Sequence, residues 1–339
     1  MKRRTFIKTS TFAGVGIMTS GLSFGKTNNS PVPSGKRVGI IGLDTSHAPA
    51  FTKSLNAEDA SPDFDGFKVV AAYPQGSKTI ESMIKRVPEY TAEVKTYGVE
   101  IVDSIPDLLK KVDFVLLETV DGHPHLEQAI PVMKARKTMF IDKPIAGTLT
   151  DAFAIFKAAK EFKTPIFSSS SLRYMTNIED IVQNQSAGKI YGAESYGPCY
   201  LEPSHPDFFW YGMHAIEALY AVLGTGCHTV SRVHTPYNDI TVGLWDGDRV
   251  GTFRGLRRGK QDYGGNVFGE KGIKSLGEYK GYDPLLKEII KFFKTNIPPV
   301  SAEETLELFT FMEAADESKR RGGLSVSMAE TRQKALAQL

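Results

Sequence analysis

The stretch Val38-Gly39-Ile40-Ile41-Gly42-Leu43-Asp44-Thr45-Ser46-His47 decides the fold of this chain. A short apolar run reaches Gly42, and a helical pattern begins a few residues later. A dinucleotide-binding domain has G-x-G-x-x-G at this place, and its glycines let a pyrophosphate approach the backbone at a helix N-terminus. Only the first of these glycines is present, because Asp44 takes the second position and His47 the third. The stretch predicts a Rossmann-like domain with an altered cofactor loop.

Apolar strands alternate with helices through the first half of the chain. The predicted strands are 37–41, 68–73, 114–118 and 138–141. Continuous apolar strands separated by helices indicate a doubly wound parallel sheet that is covered on both faces. Ligands bind such sheets at the carboxyl ends of the strands. The side chains expected there are Asp44, His47, those of residues 119–125 and those of Asp142-Lys143-Pro144.

The pattern changes after Thr148 to that of an α+β domain with a mostly antiparallel open sheet. A helix is predicted to begin after Ser301, because a serine followed three residues later by Glu304 is a helix-capping pattern, and to end at Gly322-Gly323. The predicted strands of this domain are 193–197, 230–235, 241–244, 249–256 and 266–269. We therefore expect a signal and linker over residues 1–35, a Rossmann-like domain over 36–147, and a domain for substrate binding and oligomerisation over 148–339.

The first residues are typical of an export signal. Arg3 and Arg4 precede Phe6-Ile7-Lys8, and residues 11–24 carry no charge. The layout resembles a twin-arginine signal. The uncharged run is too rich in glycine, serine and threonine for a membrane anchor. We expect an exported, periplasmic protein without an integral membrane domain.

Charge and cysteine content exclude several classes of protein. The chain has 41 Lys and Arg against 39 Asp and Glu, and loss of the signal leaves 37 against 39. This balance gives no basis for nucleic-acid binding. Cys199 and Cys227 are too few for a disulfide framework or a zinc cluster, so we expect two buried thiols.

The order and spacing of several motifs resemble the Gfo/Idh/MocA family, which includes glucose–fructose oxidoreductase and inositol dehydrogenase. The resemblance covers roughly residues 37–323. It implies a Rossmann domain, a second domain whose open sheet often mediates homo-oligomers, and oxidation or reduction of a sugar or polyol hydroxyl with NAD or NADP. The motifs are the turn at 38–42, the loop reaching His125, Asp142-Lys143-Pro144 in place of Glu-Lys-Pro, Leu172-Arg173-Tyr174, residues 188–192, the helix around His214, and residues 299–304.

The same resemblance implies the roles of individual residues. Lys143 matches a lysine beside the nicotinamide, where an ammonium group polarises the reacting hydroxyl. His214 matches a histidine that takes the hydroxyl proton. The cofactor is expected at Gly42, Asp44, Ser46, His47, Thr119, His125, Asp142 and Lys143, and a carbohydrate substrate at Arg173, His205, Trp210 and Tyr211. For Arg173, a structural ion pair is an equal alternative.

Departures from the family pattern leave other functions open. The glycine-rich loop is degenerate, no acid follows strand 68–73 to bind the adenosine ribose, and Trp210 replaces an aspartate four residues before His214. A relative that works without nicotinamide is therefore the alternative, either a sugar-binding protein or a lyase, epimerase or hydrolase. Metal assistance would draw on Asp44, His47, His123 and His125, or on His205, Asp207, His214 and Glu217. Because these spacings match no metal motif, we expect no metal.

Overall fold

The computed structural model of the protein describes residues 34–339. The predicted export signal and nearly all of the predicted linker lie outside the described residues. Within residues 34–339, no helix has the length and apolar character that a membrane span needs.

The first sheet has six parallel strands in the order β3-β2-β1-β4-β5-β6. Strands β2 and β3 are added on one side of β1, and strands β4, β5 and β6 on the other. The strand order therefore changes direction at β1, which pairs with both β2 and β4. This is the predicted Rossmann topology. The strands are β1 Arg37–Ile41, β2 Lys68–Tyr73, β3 Glu100–Ile101, β4 Phe114–Leu117, β5 Met139–Ile141 and β6 Ile166–Phe167. The helices between them are α1 His47–Asn56, α2 Glu81–Ile84, α3 Val87–Thr96, α4 Ile105–Leu109, α5 His125–Lys134 and α6 Leu149–Phe162.

The second sheet has seven strands in the order β12-β11-β7-β10-β9-β8-β13. Its strands pair antiparallel except for β7 and β10, which are parallel. The predicted mostly antiparallel sheet is thus confirmed. In chain order the elements are α7 Ile178–Gln183, β7 Ile190–Pro198, α8 Met213–Leu223, β8 Cys227–His234, β9 Asn238–Trp245, β10 Arg249–Leu256, β11 Gly264–Gly269, β12 Gly272–Ser275, α9 Asp283–Thr295, α10 Ala302–Arg320, β13 Val326–Ser327 and α11 Met328–Leu336.

Both faces of the parallel sheet are buried, as the apolar strands predict. On one face, Val38 and Ile40 of β1 pack against Phe51 of α1 and against α9. On the other face, Ile41 of β1 joins the larger core that continues into the second domain. The amphipathic helix α9 therefore returns from the second half of the chain to cover the first domain, a crossing that the sequence analysis does not predict.

The structure corrects the predicted domain boundary at residues 147 and 148. Helix α6 and strand β6 follow that boundary, yet β6 pairs with β5 as the last strand of the parallel sheet. Between β2 and the edge strand β3 the chain forms two helices, α2 and α3. The capped helix is confirmed, since Ser301 Oγ accepts from the Glu304 backbone N–H at 3.1 Å at the start of α10. Cys199 and Cys227 are buried free thiols, as expected.

Candidate active site

A cavity lies where the carboxyl ends of the parallel strands face the second domain. Several predicted site residues meet in it: Ser46, His47, Lys143, Trp210, Tyr211 and His214. Trp210 and Tyr211 belong to a π-helical segment, Phe208–Gly212, that runs directly into α8. Such segments are frequent at functional sites because they redirect side chains. The other lining residues are Thr45, Met83, Arg86, Val120, Ser171, Leu172, Tyr263, Tyr279 and Tyr282.

Asp44 fills the centre of the predicted cofactor loop. Its buried carboxylate accepts hydrogen bonds from the Ser77 backbone N–H at 2.7 Å, the Ser77 hydroxyl at 2.5 Å and the Val120 backbone N–H at 3.1 Å. The side chain therefore joins the loops that follow β1, β2 and β4. The neighbouring Gly42 keeps its usual role, since its φ is +88° and a Cβ there would lie 2.6 Å from the Thr119 nitrogen.

His47, Glu118 and Asp142 converge under the cavity at the ends of β4 and β5 and the start of α1. The His47 Nδ1 atom lies 3.0 Å from Asp142 Oδ1 and 3.7 Å from Glu118 Oε2. Burial raises the pKa of Glu118 well above its usual range, and the negative charge of Asp142 adds to this. Although burial acts in the opposite direction, the charges of His47 and Lys143 lower the pKa of Asp142.

His214 is held in position from behind. Its Nδ1 lies 2.7 Å from Ser170 Oγ. Glu217, one helical turn further along α8, accepts hydrogen bonds from Ser169 Oγ at 2.6 Å and from the Ser170 backbone N–H at 2.8 Å. Burial lowers the pKa of His214 well below its usual value, and the positive charge of Lys143 adds to the effect. His214 is therefore a neutral imidazole at neutral pH, and it can accept a proton.

Arg173 lies behind this group and not in the cavity. Its Nε donates to Glu217 Oε1 at 3.2 Å, and its guanidinium group forms an ion pair with Glu304. The structure thus shows the ion pair that the sequence analysis gave as the alternative role of Arg173.

His125 and Thr119 are parts of the scaffold. The two ring nitrogens of His125 lie 3.1 Å from the Ile145 carbonyl oxygen and 2.7 Å from the Thr119 carbonyl oxygen. The Thr119 hydroxyl donates to Gln128 Oε1 at 2.8 Å. Both residues are fully buried, and neither side chain lines the cavity. The structure therefore places both residues in the scaffold, where they hold the loops after β4 and β5 together.

His205 also lies outside the cavity. Its Nε2 atom is 3.4 Å from Asp121 Oδ1, and its ring centroid is 4.6 Å from that of His123. The ring packs behind Trp210 at a centroid distance of 5.2 Å. The predicted contact of His205 with sugar is therefore not supported by its position.

Several residues of the site are missed by sequence reasoning. Tyr282 precedes α9, and its hydroxyl lies 3.0 Å from Ser46 Oγ while its ring packs 4.4 Å from that of His47. Tyr263 and Tyr279 come from the same part of the chain and also line the cavity. Tyrosines clustered among the glycines of residues 263–282 are the signal that could have found them. The sequence pattern predicts Glu118 only as the end of a strand.

The site fits NAD or NADP at two places and departs from the usual pattern at a third. The N-terminus of helix α1 lies at the cavity, which Thr45, Ser46 and His47 line, so the positive end of the helix dipole faces a phosphate there. The His47 and Ala48 N–H groups already donate to Thr45, at 3.4 Å to its Oγ1 and 3.3 Å to its carbonyl oxygen. Lys143 lies where the nicotinamide end is expected. The departure is Asp44, because its carboxylate replaces the second glycine of the loop, where the pyrophosphate of the cofactor normally approaches the backbone. A bound dinucleotide would therefore have to pass beside the Asp44 carboxylate.

Comparison with known proteins also indicates a Rossmann domain that binds NAD. Residues 36–169 match the GFO_IDH_MocA family model, which describes an oxidoreductase family with an NAD-binding Rossmann fold. The first domain is thus a Rossmann domain of the NAD-binding type. The matching family model is that of the family that the sequence motifs resemble. None of the curated proteins matches the chain.

Solved structures share the fold over nearly the whole chain. The scyllo-inositol dehydrogenase of Lactobacillus casei, solved with NAD(H) and scyllo-inositol, has a TM-score of 0.69 at 13% identity and covers 86% of this chain and 99% of its own. The myo-inositol 2-dehydrogenase of Lactobacillus plantarum has a TM-score of 0.68 at 17% identity, with 86% and 98% covered. The myo-inositol dehydrogenase of Lactobacillus casei, solved with NAD(H) and myo-inositol, has a TM-score of 0.67 at 16% identity, with 86% and 96% covered. At these identities the likeness concerns the fold.

Proposed function

We propose that the protein is a member of this family that transfers hydride between a sugar or polyol hydroxyl and NAD or NADP. The observation that carries the proposal is that Lys143 and His214 line one cavity at the carboxyl ends of a Rossmann sheet. Lys143 brings a positive charge, and His214 is kept neutral by burial. These are the two groups that removal of a hydroxyl proton requires.

In this proposal the residues of the chain divide the proton chemistry between them. Bound NAD or NADP supplies the hydride acceptor or donor, held by the N-terminus of α1 and by Lys143. The Lys143 ammonium donates a hydrogen bond to the substrate oxygen and stabilises the negative charge that develops there. The second ring nitrogen of His214 takes the hydroxyl proton, while Ser170 fixes the orientation of the ring through Nδ1.

The remaining wall of the cavity supports a carbohydrate substrate. Trp210, Tyr211, Tyr263 and Tyr279 present aromatic rings and polar atoms to the same space. Aromatic faces bind the C–H faces of sugars and cyclic polyols, and the tyrosine hydroxyls donate or accept hydrogen bonds. The inositol dehydrogenases of the same fold are consistent with this class of substrate.

Turnover of a panel of sugars and polyols tests the proposal. Formation or loss of reduced nicotinamide would be followed by absorbance with NAD and with NADP. Lys143→Ala should abolish turnover while the circular dichroism spectrum stays unchanged. The matched control is Lys78→Ala, since Lys78 is an exposed lysine whose side chain is 63% accessible. Unchanged turnover in Lys143→Ala would contradict the proposal.

A second candidate function is favoured by Asp44. Because its carboxylate occupies the usual pyrophosphate crossing, a lyase, epimerase or hydrolase that needs no free nicotinamide, or a sugar-binding protein without turnover, is the alternative. Incubation of sugars with the protein and no added cofactor, followed by NMR, distinguishes these. A new sugar product formed without nicotinamide reduction would favour the alternative enzyme, and sugar binding without any product would favour the binding protein.

We also propose a homo-oligomer that forms through the outer face of the second sheet. Val233, Leu244 and Val250 lie on this face and are 65%, 49% and 40% exposed. Apolar side chains on the open face of a sheet favour association with a second copy. Light scattering of the purified protein tests this proposal.

Export to the periplasm remains a further proposal, supported by the charge pattern of the first 24 residues. Cell fractionation and N-terminal sequencing of the protein recovered from the periplasm test it. A protein that retains residue 1 and stays in the cytoplasm would contradict it.

A further inference from the structure

The buried group formed by His47, Glu118 and Asp142 lacks the partners that such polar atoms normally have. All three residues are buried, with Glu118 and Asp142 fully so. Within residues 34–339, both oxygens of Glu118, the Oδ2 atom of Asp142 and the Nδ1 atom of His47 have no hydrogen-bond partner. Buried polar groups are almost always paired, because an unpaired group loses its hydration without compensation.

Proximity does not supply the missing hydrogen bonds. His47 Nδ1 lies 3.0 Å from Asp142 Oδ1, but the alignment is not that of a hydrogen bond. The oxygen concerned already accepts from the Lys143 backbone N–H at 2.8 Å. One nitrogen and the carboxylate oxygens thus point into a common space, and one ligand atom from each residue lies within 4.8 Å of the other two.

The negative charge of the group is compensated only in part, by the nearby ammonium of Lys143, which acts on both Glu118 and Asp142 without forming an ion pair with either. Glu118 and Asp142 bring two carboxylates to the base of the cavity, and Asp44 brings a third nearby that contributes to the field at Glu118. In the described part of the chain, no lysine or arginine forms an ion pair with Glu118 or Asp142. A buried pair of carboxylates needs either a proton or a cation between them.

We propose that His47, Glu118 and Asp142 bind one first-row divalent cation, such as Mn²⁺, Fe²⁺ or Zn²⁺, at the base of the cavity. Two ligand atoms bonded at about 2.1 Å to one ion are about 3.0–3.4 Å apart, which the observed spacings of 3.0 and 3.7 Å approach. One imidazole and two carboxylates suit these ions better than Mg²⁺ or Ca²⁺, which prefer oxygen ligands alone.

The position of the ion suggests what it does. His47 and Lys143 line the cavity while Glu118 lies beneath it. Three protein ligands leave coordination positions open, and an oxygen of the substrate can fill one of them. The ion would then polarise a substrate hydroxyl or carbonyl. This inference does not depend on nicotinamide, so it applies to either proposed function.

Metal binding by the purified protein tests the proposal without an activity assay. The protein is stripped with a chelator and titrated with MnCl₂ or ZnCl₂ in a calorimeter. We expect one equivalent per chain and an affinity that falls at least about 100-fold in Glu118→Gln, since loss of groups that only orient ligands already costs 10–100-fold. The matched control is Asp121→Asn, because Asp121, His123 and His205 form the other histidine and carboxylate group of the described residues. This control should leave the titration unchanged.

Pulsed electron paramagnetic resonance of bound Mn²⁺ identifies the ligands even if Glu118→Gln fails to fold. The proposal predicts coupling to a single histidine nitrogen, which His47→Ala removes. Three results would overturn it. These are a wild-type protein that binds neither ion stoichiometrically, a folded Glu118→Gln variant that binds with wild-type affinity, and a two-nitrogen coupling that disappears in Asp121→Asn.

Discussion

Replacement of Asp44 by asparagine should destabilise the folded protein. The Asp44 carboxylate lies in the loop after β1 and accepts three hydrogen bonds from Ser77 and Val120, in the loops after β2 and β4. It is fully buried, so water does not replace a lost partner. The substitution keeps the size of the side chain and changes only its charge and its number of acceptor oxygens.

The expected loss follows from these contacts. An amide has one acceptor oxygen, so it can accept from Ser77 or from Val120 but not from both. A hydrogen bond to a charged group contributes roughly 1.5–3 kcal/mol, and a buried donor left without a partner costs roughly 1–3 kcal/mol. The lower cost of burying a neutral group offsets part of this. We expect the free energy of unfolding to fall by about 2–3 kcal/mol.

Urea unfolding at pH 7.5, followed by circular dichroism, measures this change. The control is Asp63→Asn, because the Asp63 side chain is largely exposed in its ion pair with Lys287. This control should unfold at nearly the urea concentration of the wild type. If Asp44→Asn also unfolds at that concentration, Asp44 does not act as a clamp between the loops, and the account of the altered cofactor turn is wrong.

Three further changes test other parts of the molecule. Lys143→Ala should raise the pKa of His214 in a histidine NMR titration, because the charge of Lys143 adds to burial in lowering that pKa. An unchanged pKa of His214 would show that the charge of Lys143 does not act on it. Arg232→Met should lower the free energy of unfolding by about 3–5 kcal/mol, because in the described residues it leaves the buried Asp316 without a cation and takes one partner each from Asp207 and Asp239. A free energy of unfolding within about 1 kcal/mol of the wild type would refute this. Leu244→Asp should reduce the oligomer to a monomer in light scattering, and an oligomer of unchanged mass would exclude this face.

The parts of the fold that follow from local patterns are predictable from the sequence. Strands β1 and β2 lie where their apolar runs place them, and the cap at Ser301 starts α10 as its sequence indicates. Local chemistry decides these features, so distant residues do not alter them. The resemblance to family motifs, and not local chemistry, points to Lys143 and His214, and both residues line the cavity.

The features that the sequence does not reveal depend on contacts between distant segments. Tyr282 reaches Ser46 and His47 only because α9 returns across the first domain. The motif around Arg173 suggests a substrate ligand, but in the structure Arg173 forms ion pairs with Glu217 and Glu304.

Burial also determines roles that a sequence leaves open. His125 follows the loop after β4, as a cofactor ligand would, but its two ring nitrogens are occupied by backbone carbonyl oxygens. Glu118 reads as the polar end of a strand. Only the structure shows that it is fully buried beside Asp142. The pattern of side chains along a strand does not show which of them the second domain will cover.

The most direct test of the proposed function is the cofactor content of the purified protein. The protein would be denatured, and released NAD(H) or NADP(H) would be quantified by absorbance and mass spectrometry; protein that releases none would be titrated with both dinucleotides. The account predicts about one dinucleotide per chain, either released or bound on titration. A protein that releases no dinucleotide and binds neither NAD nor NADP would contradict it.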